Sequence, residues 1–205
     1  MDILVDLETL GTRAGSVIAT IGAAAIVKDG DTITSPTTAD RDLVFYTRIN
    51  QQDCLNLGMT VDAATLSWWM TTPCDAARRE LFSSDLSRSN LHQALVDFAQ
   101  WVKARRYDAE NYHDDPEFHI WGNGPSFDLG LLEDAYWRVY RTDTAQPWQF
   151  REERCFRTLR TVDRMLPGEP VAKYDPLIPH HALHDAIAEA KALAAMLQRI
   201  RERSH

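Results

Sequence analysis

The sequence predicts an α/β domain organised around a mixed sheet, and three observations predict it. Apolar, strand-like segments crowd the first fifty residues; helical periodicities fill most of the remaining chain; one short strand-like segment, 118–121, stands alone between helices. Strands first and helices later, with a lone strand among the helices, is the order expected of a mixed sheet covered by helices.

Each element has its own signal. Residues 2–9 begin with an apolar run and then alternate, as a buried strand does. A turn marked by Gly11 and Gly15 leads to a second strand over Val17–Lys28, rich in Val, Ile and Ala. Residues 29–42 are polar, contain Pro36 and read as a loop before a third, alternating strand over Leu43–Asn50. The short gaps between these strands predict an antiparallel meander. Asp62 is placed to cap a helix carrying Ala63, Leu66, Trp69 and Met70. Pro73 stops that helix and opens another with Ala77 and Leu81 on its apolar side. Ser87 or Ser89 is the expected cap of a long helix bearing Leu91, Leu95, Phe98 and Val102, with a charged loop over 106–117 after it. The strand Phe118–Trp121 ends at Gly122-Asn-Gly124-Pro125, and Ser126–Tyr140 reads as helix, followed by a polar loop with Pro147. Prolines 167, 170, 176 and 179 mark a long irregular loop before a final helix from about His181 to Arg201. There is no internal repeat.

At 205 residues the expectation is one domain over 1–205. With 44% hydrophobic and 25% charged residues, the composition excludes a disordered chain. The longest uncharged stretch, Ala14–Val27, is too short for a membrane span, which takes about 20 residues. Asp2 stands where a secretion signal would carry positive charge. Cys54, Cys74 and Cys155 are odd in number and far apart, which signals neither a disulfide framework nor a zinc ribbon. A reducing cytoplasm is the expected location. The net charge of −8 argues against passive binding of nucleic acid, whose affinity comes mostly from Lys and Arg. It is compatible with an enzyme that meets phosphate through cations held by carboxylates.

The acidic residues give that idea a site. Asp6 and Glu8 are two apart on the first strand and therefore share a face. Neighbouring carboxylates at the end of a buried strand repel each other and resist desolvation, and a divalent cation with its preference for oxygen ligands relieves both. Two solvated strand-end acids are the plain alternative. Asp128 follows Trp121-Gly-Asn-Gly-Pro-Ser-Phe127, at a strand-to-helix turn of the kind where α/β sheets bind ligands. Alternatively, it only favours the first helical turn through the helix dipole. His180 and Asp185 are five apart, so His180 belongs to the loop before the last helix and Asp185 to its first turns. An imidazole titrating near neutrality suits proton abstraction from water. A zinc cluster of His180, His181 and His184 is the rival reading, without a cysteine to complete it.

Taken together, Asp6-Leu-Glu8-Thr-Leu-Gly11, Asp128 and His180-x-Ala182-x-x-Asp185 resemble the three motifs of the DEDDh group of DnaQ-like 3′→5′ exonucleases. Glu8-Thr-Leu-Gly-Thr12, Leu66-Ser-Trp-Trp69, Trp121-Gly-Asn-Gly124, Ser126-Phe-Asp128, Pro147-Trp148 and Arg154-Cys-Phe-Arg-Thr158 are similar to the small phage and bacterial exoribonuclease-like branch. The resemblance covers nearly the whole chain. One departure is His184, where relatives often carry a second acid.

The resemblance implies a ribonuclease H-like fold with a five-stranded mixed sheet flanked by helices. It implies two Mg²⁺ or Mn²⁺ ions about 3.5–4 Å apart. Asp6 would bridge both, Glu8 and Asp185 would complete one site, Asp128 would hold it directly or through water, and His180 would be the general base. The implied reaction releases nucleoside 5′-monophosphates from 3′ ends of single-stranded RNA, with DNA as the other substrate. Relatives often pair, so a homodimer is one assembly the resemblance allows, although the sequence does not give the oligomeric state; no membrane is involved. Candidate substrate contacts are the backbone at Thr9, Leu10 and Gly11, the rings of Trp69 and Phe127, and the guanidiniums of Arg154 and Arg157. Of Trp68 and Trp69, adjacent on a helix, either one lies in the core and the other against a base, or both are packed, and Phe127 carries the same two readings. The arginines at 151, 154, 157 and 160 form either a phosphate stripe, a partner contact or a solvated face paired with Glu152 and Glu153. A catalytically inactive nucleic-acid-binding module of the same fold and a scaffold holding a structural ion are the rivals to an enzyme.

Overall fold

A computed structural model describes residues 1–30, 32–112, 117–142, 144–172 and 174–203. The first strand, β1 (Asp2–Thr9), is buried along nearly its whole length and lies at the centre of a six-stranded sheet. It pairs antiparallel with β2 (Ile18–Asp29), which pairs antiparallel with β3 (Thr32–Thr34) and β4 (Val44–Arg48). The β1–β2–β4 meander is therefore as the sequence predicts.

Helices α1 (Gln51–Asn56), α2 (Ala63–Thr71), α3 (Asp75–Phe82) and α4 (Leu91–Tyr112) come next. The lone strand β5 (His119–Gly122) returns parallel to β1 and leads into α5 (Asp128–Tyr140). A 3-10 turn at Phe150–Glu152, strand β6 (Glu153–Cys155), parallel to β5, helix α6 (Phe156–Met165) and helix α7 (Ala182–Arg201) complete the chain. Among the described residues no helix is long and apolar enough to cross a membrane.

The alternation of β1 divides the core. Ile3, Val5 and Leu7 face the larger cluster, with Trp69, Leu95, Phe98, Leu132 and Tyr136 from the helices beyond the meander. Leu4 faces the other cluster, with Ala186, Ala190 and Leu193 of α7 and Phe156 of α6. Since strand side chains repeat every second residue, Asp6 and Glu8 share the face of Leu4 and point to the α7 side. The sheet thus delivers both acids to the helix that carries Asp185.

Several expectations need correction. The sheet has six strands, not five: residues 29–42 read as loop in the sequence, but Gly30, at φ +53°, lets the chain double back and Thr32–Thr34 pairs with β2. Helix α4 continues through 106–112 where a charged loop is expected; residues 113–116 of that segment lie outside the described residues. The side-chain cap of α4 is Asn90, accepting from Gln93 N–H at 2.8 Å, rather than Ser87 or Ser89. Strand β6 and helix α6 have no counterpart among the elements the sequence predicts. β6 is three polar-rich residues held by backbone pairing to β5, and the arginines of α6 mask its apolar Phe156 and Leu159.

Candidate active site

Asp6 and Glu8 lie near the C-terminal end of β1, and the structure brings Asp185 to them. Asp6 sits opposite Gly22 in the β1–β2 register. A methyl group at Gly22 would collide with the backbone of Ala182 and Leu183, so the missing side chain lets the first turn of α7 rest on the sheet there. Asp185, in that turn, then reaches the acids of β1. One carboxylate oxygen from each of Asp6, Glu8 and Asp185 lies within 4.8 Å of the others, close enough to share a cation.

Asp128 enters from the neighbouring strand. β5 ends at Gly122, whose Cα faces a side chain so closely that an added Cβ would lie 3.1 Å from Asp128 Oδ2. The chain turns through Asn123–Phe127, closed by Phe127 N–H donating to Gly124 O at 2.7 Å. Asn123 N–H donates to Asp128 Oδ2 at 3.1 Å. The carboxylate, 2% exposed, is thereby fixed at the start of α5.

A fifth acid, which the sequence motifs do not mark, completes the group. Glu189 lies one turn beyond Asp185 on α7 and is 1% exposed. Its Oε1 accepts from Asn123 Nδ2 at 2.7 Å, and the same amide lies 3.3 Å from the Tyr174 hydroxyl. The i, i+4 spacing to Asp185, interrupting the alanines of the buried face, is the signal that could have found it.

His180 precedes α7 with a left-handed backbone, φ +61°. Single non-glycine residues in this region carry strain and cluster at functional sites. Its imidazole meets Trp68 edge-on, with ring centroids 4.9 Å apart. The other two histidines go elsewhere: His181 stacks between Tyr46 at 4.6 Å and His184 at 4.4 Å. The three do not converge as zinc ligands, and among the described residues the group able to hold a metal is Asp6, Glu8 and Asp185.

Asp6, Glu8, Asp185, Glu189 and His180 line one cleft of about 660 Å³, along with Thr9, Thr12, Thr65, Trp68, Asn123, Phe127 and Tyr174. Its electrostatics are those of crowded carboxylates. Burial, and then the charge of Glu8, Asp128, Glu189 and Asp185, hold Asp6 well above the usual carboxylate range. Glu8 is raised in the same way by burial, Asp185 and Asp128. Burial lifts Asp128 to about 7 against the pull of its backbone hydrogen bonds, and lifts Asp185 to about 6. Glu189 rises to about 8 through burial and Asp128. Burial lowers His180 and so favours its neutral, proton-accepting form.

The other sequence candidates divide. Thr9, Phe127 and Trp69 line the cleft. Leu10 is a core residue, 4% exposed, with its carbonyl taken by Asp62 N–H at 2.7 Å, and Gly11 packs against Ser16. Trp69 is 1% exposed and spends its indole N–H on Thr9 O at 3.0 Å, so it braces the wall; the exposed indole is Trp68, at 41%. Arg157 is exposed on α6, with its guanidinium near Gly124. Arg154 donates to the carbonyls of Arg151 and Glu153 and stays outside the cleft. The four arginines belong to the 3-10 turn, β6 and α6, so their regular spacing is not a helical stripe.

A family model covers residues 1–197: the 3′–5′ exoribonuclease Rv2179c-like domain. The chain belongs to that family. The acids of the cleft lie within the matched span. Among solved structures, cell-death related nuclease 4 (CRN-4) is similar at TM-score 0.56 and 13% identity, over 98% of this chain and 64% of that one. E. coli Exonuclease I, in complex with a dT13 oligonucleotide, is similar at TM-score 0.51 and 17% identity, over 98% of this chain and 41% of that one. The chain thus spans less than two thirds of either neighbour, and the likeness to them is one of fold: α/β, ribonuclease H-like, a mixed sheet flanked by helices. No curated protein sequence matches the chain.

Proposed function

We propose that the chain is a single exonuclease domain that hydrolyses single-stranded nucleic acid from the 3′ end with the help of divalent cations. RNA is the favoured substrate, DNA the second, and nucleoside 5′-monophosphates are the products. One observation carries the reading: carboxylate oxygens of Asp6, Glu8 and Asp185 within 4.8 Å of each other, with further carboxylates as the main charges acting on Asp6. Such a group is costly to ionise without positive charge, and its all-oxygen donor set suits Mg²⁺ or Mn²⁺.

Asp6, Glu8, Asp128 and Asp185 are the residues that would hold the pair of cations. Bound there, the cations would supply an acidified water and stabilise the departing 3′ oxygen. His180 accepts the proton of the attacking water as its oxygen bonds to phosphorus and the bond to the 3′ oxygen breaks. Its lowered pKa keeps the accepting form populated near neutral pH. Trp68, exposed beside His180, offers a face on which a terminal base stacks. Phe127 and the backbone at Thr9 border the same space. Arg157, whose guanidinium lies near Gly124, would meet a phosphate of the incoming strand.

The test is digestion of 5′- and 3′-labelled single-stranded RNA and DNA with Mg²⁺, Mn²⁺ or chelator. A descending ladder from the 5′ label, immediate mononucleotide from the 3′ label and silence in chelator are expected. Binding without cleavage under every condition would instead support an inactive nucleic-acid-binding module. Sedimentation of the free protein tests the homodimer.

A further inference from the structure

Two further described acids stand beside the compact triplet of Asp6, Glu8 and Asp185. Asp128 and Glu189 lie outside that triplet, yet each acts on Asp6, and Asp128 is the strongest neighbouring charge acting on Glu189.

Glu189 is built for more than packing. It is 1% exposed, on a helix face otherwise lined by Ala186, Ala190 and Leu193, where a carboxylate has no packing advantage over an apolar residue. It lines the cleft. Oε1 is held by Asn123 Nδ2 at 2.7 Å, which fixes the carboxylate plane, while Oε2 is buried without a hydrogen-bond partner. An orphaned carboxylate oxygen in so dry a place costs free energy unless a ligand completes it. Asp128 and Asp185 act on it with negative charge, against Arg160 and the Tyr174 hydroxyl on the other side, and the excess of carboxylates favours a cation, or a water bound to one, as the completing ligand.

We propose that Glu189 is a fifth acidic ligand of the centre, its Oε2 taking part, directly or through one water, in holding a cation together with Asp6 and Asp128. The assignment rests on the cation reading above and extends it. Asn123 then serves both acids at once: its backbone N–H holds Asp128 Oδ2 and its side-chain amide holds Glu189 Oε1. The pair is set at a fixed separation by one residue of the β5–α5 turn.

The experiment is calorimetric titration of the full chain with Mn²⁺ alone, without nucleic acid, on the wild type and on Asp6→Asn, Glu189→Gln, Glu189→Ala and Asn123→Ala, with circular dichroism to verify folding. Gln keeps an oxygen able to accept from Asn123 and removes only the charge. Glu189→Gln is expected to weaken the lower-affinity Mn²⁺ about tenfold or more, or to reduce two bound ions to one, and to leave the tighter ion within about twofold. A wild-type titration for Glu189→Gln, with Glu189→Ala and Asn123→Ala alike in their losses, would overturn the ligand role and leave a positioning residue for Asp128. Wild-type binding by Asp6→Asn would instead overturn the cation reading itself, and the two failures are therefore distinguishable.

Discussion

The indole N–H of Trp69 donates to the carbonyl of Thr9 at 3.0 Å. Thr9 is the last residue of the strand that carries Asp6 and Glu8, and Trp69 is the immediate neighbour of Trp68, whose ring meets His180. One buried hydrogen bond thus fixes the acids and the aromatic wall of the cleft relative to each other. Trp69→Phe keeps most of the packing and leaves the Thr9 carbonyl unpaired, so a loss of about 1–3 kcal/mol in stability is expected by chemical denaturation. Trp68→Ala should change stability far less and raise KM for oligonucleotides, by about 1–3 kcal/mol of lost stacking. The reverse ranking of the two variants would contradict this division of roles.

Asp6→Asn should abolish cleavage with the fold intact, and Asp185→Asn should do the same. In chelator Asp6→Asn should also melt at a higher temperature than the wild type, because it removes a charge from among buried carboxylates. Near-wild-type turnover at saturating Mg²⁺ would refute the ligand assignment.

The raised carboxylates predict how stability depends on pH. Asp185 at about 6, Asp128 at about 7 and Glu189 at about 8 compare with roughly 4 in an unfolded chain. The folded state then holds more protons than the unfolded one, so this contribution is complete below about pH 4 and is lost as pH rises through 6 to 8. Asp2, lowered to about 2, works in the opposite sense in acid below that window, and His180, His181 and His184, lowered by burial, oppose the fall only below about pH 6.5. Scanning calorimetry in chelator should show a melting temperature falling from about pH 5 to about pH 8.5, and millimolar Mg²⁺ should lessen the fall by binding the folded state. A melting temperature that climbs through the window in chelator would show that these acids are not the controlling groups.

His180→Ala should lower turnover about 10²–10⁴-fold, with Mn²⁺ affinity unchanged. Because burial lowers its pKa, the wild-type single-turnover rate should rise with pH with a midpoint below about 6.5. His181→Ala and His184→Ala, whose rings stack on each other away from the acids, should affect rate much less. A larger loss at His184 would move the base elsewhere.

Gly22→Ala should be the most damaging methyl addition near the site. The new carbon would meet backbone of α7, which cannot rotate aside, so a loss of at least about 1–3 kcal/mol and of activity is expected. Thermal melts together with Mn²⁺ titration check it; a stable, fully active variant would mean that α7 does not rest on Gly22.

By itself the sequence determined the meander, the lone strand β5, the capped helix after Asp62 and the positions of Asp6, Glu8, Asp128, His180 and Asp185. These are written in short-range patterns: alternation, capping residues, and motifs whose spacing survives as local geometry. β3, β6 and α6 were illegible because few-residue strands are made by pairing with a neighbour rather than by their own side chains, and because arginines hid the apolar face of α6. Which tryptophan is buried, which histidines stack away from the acids, and that Glu189 joins the site were decided only by tertiary structure. Each depends on the seating of α7 against Gly22 and of α2 against Thr9. Adjacent helical residues such as Trp68 and Trp69 are chemically equivalent in sequence and are separated only when a neighbouring element takes one face and leaves the other to the cleft.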